Sequence, residues 1–140
     1  MFFKRISLLL VVATAAALAV AAVSAAAPGS ASLVIRHQTR GCHSWALNGG
    51  PFKAKQSITL RHGGTLTVTD NDVMSHTLVL TSGPTLRIGH PKLSHSGALL
   101  KITFTKPGVY HFMTKAGEDY MAGVKTIGED NVLRLTVVVS

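Results

Sequence analysis

The feature that most restricts the fold is a period-two alternation of apolar and polar residues, recurring in short bursts that turn-forming residues interrupt. Leu33-Val34-Ile35 begins a strand, Ser57 to Leu60 alternates, Thr65 to Thr69 alternates, and Thr77 to Leu80 follows the Asp70-Asn71-Asp72 turn. From Thr81 to Gly97 the chain is rich in Gly, Pro, Ser and His and reads as a long loop, with a brief pairing segment at Leu86 to Ile88. Leu99 to Thr105 alternates again. Lys106-Pro107-Gly108 is a tight turn, Val109 to Thr114 carries Tyr110 and Phe112 on one face, and Asn131 to Val139 is a closing strand. Side chains two apart share a face of a strand, so each burst has one apolar face to bury. About seven such strands, with no helix of useful length among them, predict an all-β fold: one Greek-key sandwich or small barrel.

The first residues are a different kind of segment. Lys4 and Arg5 precede a nearly unbroken Leu, Val and Ala run from Ile6 to Val23, and Ser24 to Ala27 supplies small residues before Pro28-Gly29. This pattern is an export signal. Residues 1–27 are read as a signal peptide or an uncleaved anchor, 28–32 as a short linker and 33–140 as one domain. A mature start between Ala25 and Ser32 fits the small-residue sites. The expected location is secreted or extracytoplasmic, in a periplasm or at a cell surface. About 110 residues remain, enough for one modest core and not for two.

The whole chain has a formal charge of +8, and without Lys4 and Arg5 it keeps 12 basic residues against 6 acidic ones. A positive balance of this size favours an acidic partner protein or association with an anionic membrane surface. Nucleic acid is not expected, because the basic residues are scattered singly and aromatic stacking residues are few.

Cys42 is the only cysteine, within Gly41-Cys42-His43-Ser44-Trp45. A lone thiol in an oxidising compartment has no partner for a structural disulfide. It is left as an exposed free thiol, a small buried hydrophobe, an intermolecular crosslinker or a metal ligand. Seven histidines and four methionines share the chain with it. Soft sulfur with imidazole suits copper, and zinc next.

The order of motifs resembles the cupredoxin family from about Leu33 to Ser140. The resemblance lies in Thr67 to Asp72 leading into Met74-Ser75-His76, in Phe104-Thr105-Lys106-Pro107-Gly108-Val109-Tyr110-His111-Phe112, and in a loop ending at Met121-Ala122-Gly123. It implies a copper ion, with His76 at the position of the family's first ligating histidine. The pattern then departs from the family. Thr114 stands where blue-copper members have the ligating cysteine, Gly117 or Glu118 where the second histidine is expected, and Met121 is displaced from the axial position. If the family topology holds, the strand from Leu33 runs parallel to the one ending at Asp70. Four loops then gather at one end, holding Cys42, His43, His76, His95 and Met121. These five are the candidate ligands of a rearranged mononuclear copper–thiolate site, in which Cys42 fills the vacancy at Thr114 and His95 replaces the missing histidine.

Plainer readings stand beside these. His43 points away from Cys42 in an extended segment. His37 and His90 are read as solvated, His62 as surface at the opposite end, and His111 and Met113 as facing out of the core. Trp45 either covers the site or packs across the sandwich. Glu118, Asp119, Glu129 and Asp130 supply oxygen donors, Glu118 nearest the site, but acids on a solvated loop ordinarily offset nearby lysines such as Lys115 and Lys125.

Three function classes fit: an electron carrier serving a redox protein partner, an extracytoplasmic copper buffer or donor to an acceptor protein, and a metal-free binding module. A monomer is expected. An enzyme is not, since no nucleophile elbow, phosphate loop or paired catalytic carboxylates occur.

Overall fold

The structure is a computed structural model, and it describes residues 26–37, 43–116 and 132–140, with the side chains of His37, His43, Lys115 and Ala116 left aside. Ten strands form in chain order: β1 (Ser30–His37), β2 (His43–Leu47), β3 (Phe52–Lys53), β4 (Lys55–Leu60), β5 (Thr65–Asp70), β6 (His76–Ser82), β7 (Lys92–Leu93), β8 (Ala98–Thr103), β9 (Gly108–Ala116) and β10 (Val132–Val139). They make two five-stranded sheets, ordered β3-β2-β1-β5-β8 and β4-β10-β9-β6-β7. No helix occurs among the described residues, and none of these segments could cross a membrane as a helix. The all-β sandwich expected from the alternation is the fold observed.

Each alternating burst turns its apolar residues inward. Leu33 and Ile35 of β1, Leu66 and Val68 of β5, and Leu100 and Ile102 of β8 face Leu78 of β6, Phe112 of β9 and Leu133, Leu135 and Val137 of β10. Phe104, Tyr110 and Phe112 form the aromatic centre, with Phe104 edge-on to Tyr110 at 5.0 Å and to Phe112 at 6.1 Å. The Tyr110 hydroxyl donates to the carbonyl of Lys106 at 2.7 Å, so a buried ring keeps its polar tip satisfied in the turn it leaves. At Gly83, with φ +126°, a Cβ would lie 2.6 Å from the Val109 carbonyl oxygen. Only glycine fits that approach.

β1 runs parallel to β5, with Ile35 opposite Asp70, and β5 runs antiparallel to β8, with Asp70 opposite Ala98. In the second sheet His76 is opposite both Ala116 and Leu93. The ends of β1, β5 and β9 and the starts of β6 and β8 therefore lie at one end of the sandwich. The turn Arg61–Gly64 lies at the other, where the exposed His62 is held by the Thr105 carbonyl at 2.8 Å.

Several elements differ from the sequence reading, among them the unread short strand β3. β1 starts at Ser30 rather than Leu33, paired to Thr65. His43–Leu47, whose first three residues were expected in the loop that holds Cys42, is a strand between β1 and β3. Ser44, Trp45 and Ala46 are all buried, so it lacks the alternation that marks a half-exposed strand. Leu86 to Ile88 forms no strand, although Leu86 and Ile88 pack against the core. The short pairing falls instead at Lys92–Leu93.

Candidate functional site at the His76 end of the sandwich

Buried polar groups are costly unless they have partners, so their distribution locates chemistry in an otherwise apolar core. Among the described residues the buried polar side chains are Ser44, Asp70, Asp72, His76 and Thr114. All five lie toward the same end. Ser44 is the second residue of β2 and Asp70 the last of β5. Asp72 lies in the connection to β6, His76 begins β6, and Thr114 is two residues from the end of β9.

The turn between the sheets is built by its own carboxylates. Asp70 Oδ1 accepts the backbone N–H of Asp72 at 2.9 Å, and Asp72 Oδ1 accepts that of Met74 at 3.2 Å. These are the local side-chain-to-backbone bonds that make Asp a turn former. The other oxygen of Asp72, Oδ2, lies 3.2 Å from His76 Nε2, with both side chains fully buried. A carboxylate on one ring nitrogen fixes the orientation of the imidazole. When that nitrogen is the donor, the neutral ring carries its lone pair on Nδ1.

Asp70 is the electrostatic oddity. Burial pushes its carboxyl up from an ordinary 3.8 to about 6, against the lowering effect of the Asp72 N–H; the Asp72 charge adds to the rise and His95 opposes it. Its second oxygen, Oδ2, has no hydrogen-bond partner among the described residues, and neither do Ser44 Oγ, Trp45 Nε1 and Thr114 Oγ1. Thr114 is buried opposite Leu78, two positions along the ladder from the backbone pairing of His76 with Ala116.

Of the candidate ligands, His76 and His95 are brought to this end, but differently. His76 is buried and clamped. His95 is exposed in the turn before β8, with its Nδ1 3.1 Å from the Ser96 carbonyl oxygen. The backbone of His43 pairs with His37 at the same end. Cys42, Glu118 and Met121 lie outside the described residues. Among the described residues no group of three His, Cys, Asp or Glu side chains is arranged to hold a metal ion. Trp45 is fully buried and packs in the core. His111 is exposed and Met113 half-buried on the outer face, and His90 is exposed, as expected.

Sequence reasoning took Asp70 and Asp72 only as turn residues. A signal was present: a chain with six acidic residues in all places two of them within six positions of a histidine, at the end of an apolar strand.

No family model matches the sequence, and no curated protein matches it. Solved structures that resemble the fold include an oxidized mutant of amicyanin, 17% identical over 78% of this chain and 82% of that one, with a TM-score of 0.41. A heme-copper terminal oxidase dimer is 18% identical over 79% of this chain, with a TM-score of 0.41. This chain covers 64% of the oxidase chain, short of two thirds. A cysteine protease inhibitor, EhICP2 from Entamoeba histolytica, is 9% identical over 81% of this chain and 99% of that one, with a TM-score of 0.42. Likeness at this level is shared by copper proteins and a protease inhibitor alike, and it does not choose between them.

Proposed function

We propose that the chain is an exported, cupredoxin-like copper protein that transfers single electrons to and from a protein partner. The observation that carries the reading is the gathering of all the described buried polar side chains at one end of an otherwise apolar sandwich, with an oriented imidazole among them. Compared with apolar packing, a fold gains little net stability from collecting buried charged groups. It gains a place where donors are held in fixed geometry.

The residues fit a copper ion in kind. His76 would hold it through the ring nitrogen opposite the one facing Asp72, and Asp72 keeps the ring from turning. Cys42 would supply the thiolate, with His95, His43 and Met121 as the further candidates. Copper bound by thiolate and imidazole supplies one-electron redox chemistry. The protein's part is to hold the ring still and exclude water, which the burial of His76, Asp72 and Trp45 supports.

The test is a titration of the purified protein with copper(II). One equivalent is expected to bind and to produce a thiolate-to-copper charge-transfer band that Cys42→Ser abolishes, with His76→Ala weakening binding. Tight copper(I) binding without the band would move the role from electron transfer to copper handling. A protein that stays colourless and binds copper tightly in neither oxidation state would be a metal-free module.

A further inference from the structure

The outer face of the second sheet carries a concavity that the proposed copper site does not use. It has a volume of about 570 Å³, and its lining includes Lys55, Arg134, His111, Thr136, Thr81 and Met113. The register explains how it is built. Arg134 of β10 is opposite Lys55 of β4 on one side and Met113 of β9 on the other. In the next outward row Thr136 is opposite His111. A β-bulge interrupts β6 between Leu80 and Ser82, where the ladder meets His111. Bulges bend a strand and re-aim its side chains. Here Thr81 is fixed, its hydroxyl donating to the His111 carbonyl at 3.0 Å, while Thr136 Oγ1 lies 3.3 Å from His111 Nδ1.

Charge sets the class of ligand. Like charges directly opposite each other on adjacent strands destabilise a sheet, yet Lys55 and Arg134 are such a pair and both are exposed. No carboxylate among the described residues offsets them, because Asp70 and Asp72 are the only described acids and both are buried at the end of the sandwich. Solubility alone asks for scattered cations, not for two in one row beside fixed hydroxyls. A guanidinium fork with an ammonium beside it is the pair that recognises a phosphate group. The volume is within the range of small-molecule sites and larger than a bare ion needs. The half-buried Met113 beside Arg134 offers an apolar surface for the remainder of the ligand.

We infer that this concavity on the outer face of β4, β10, β9 and β6 binds an organic phosphate, with Arg134 and Lys55 holding the phosphate group and Met113 lying against the organic part. The shared chemistry is a phosphate ester, whose source is either a soluble metabolite or a phospholipid headgroup.

The experiment is an amide-resolved NMR titration of the purified protein with glycerol 3-phosphate at low salt. Saturable shifts are expected at Lys55, Met113, Arg134 and Thr136. Arg134→Gln with Lys55→Gln should weaken binding about tenfold or more, since two charge-assisted contacts are lost. Thr136→Val should weaken it less, and Lys101→Gln, on the other sheet, should leave it unchanged. Vesicles of phosphatidylcholine with phosphatidylglycerol separate the sources. Binding to them that glycerol 3-phosphate competes away assigns the site to a headgroup, whereas saturable binding of the soluble ester with no vesicle binding assigns it to a metabolite. Shifts that never saturate and spread over all exposed Lys and Arg, or equal weakening by Lys101→Gln, would overturn the inference.

Discussion

Replacing Asp70 by asparagine should stabilise the metal-free protein at neutral pH and make no such difference in acid. The folded carboxyl titrates at about 6 against an ordinary 3.8, chiefly because it is buried. Between these two values the folded state binds more protons than the unfolded state, so stability falls as pH rises through the window. At about 1.4 kcal/mol per pH unit, and with the unfolded carboxyl still partly protonated at pH 4, the loss from about pH 4 to about pH 7 is about 2 kcal/mol. The amide of the Asp70→Asn variant has nothing to titrate, and its side-chain oxygen can still accept the Asp72 N–H that Asp70 Oδ1 now holds at 2.9 Å. The offset from burying an amide in place of a protonated carboxyl is the same at every pH and cancels from the slope. Urea unfolding of both proteins across that range, with chelator present, measures the effect. The Asp70→Asn variant should gain about 2 kcal/mol relative to the wild type between the two limits. A difference that stays flat within about 0.5 kcal/mol would refute burial as the cause of the raised carboxyl, and with it the reading of this end as a place where the fold tolerates electrostatic cost.

His76→Ala in the metal-free protein leaves the Asp72 carboxylate buried without its imidazole, and chemical denaturation should show a loss of about 3 kcal/mol or more. Phe112→Ala opens a hole at the aromatic centre and should cost about 3–5 kcal/mol by the same measurement. Tyr110→Phe removes the 2.7 Å bond to the Lys106 carbonyl while keeping the ring, for a loss of about 1 kcal/mol. Gly83→Ala must both hold φ near +126° and displace the Val109 carbonyl, and should lower stability by about 2 kcal/mol or more, read as a fall in Tm.

The parts of the fold legible in the sequence are those where one face is wet. β5 shows its buried residues at Leu66, Val68 and Asp70 with Thr65, Thr67 and Thr69 between them, and this regularity made it readable. β2 is the contrary case. Ser44, Trp45 and Ala46 are buried in succession, so periodicity carried no signal there. β7 has two residues, too few for any period, and is defined by its pairing with His76 and Thr77 across the ladder. At the site, His76 was picked out by the family resemblance, which places a histidine just after an Asp/Asn turn, and the structure buries it there. The roles of Asp70 and Asp72 were not legible, because the same residues make an exposed turn and a buried one. What separates the two is that Asp70 continues the inward-facing series of Leu66 and Val68, a property of tertiary packing rather than of local sequence.

β4 has one strand neighbour, and that neighbour is β10. Ile58 of β4 must therefore wait for Val137, synthesised after nearly all the rest of the domain, before its backbone is paired. β9 likewise lacks one of its two flanking strands until β10 arrives, and the core lacks Leu133, Leu135, Val137 and Val139. The first sheet needs none of these residues, but the second is completed only by a late, long-range pairing, the kind of contact that slows folding.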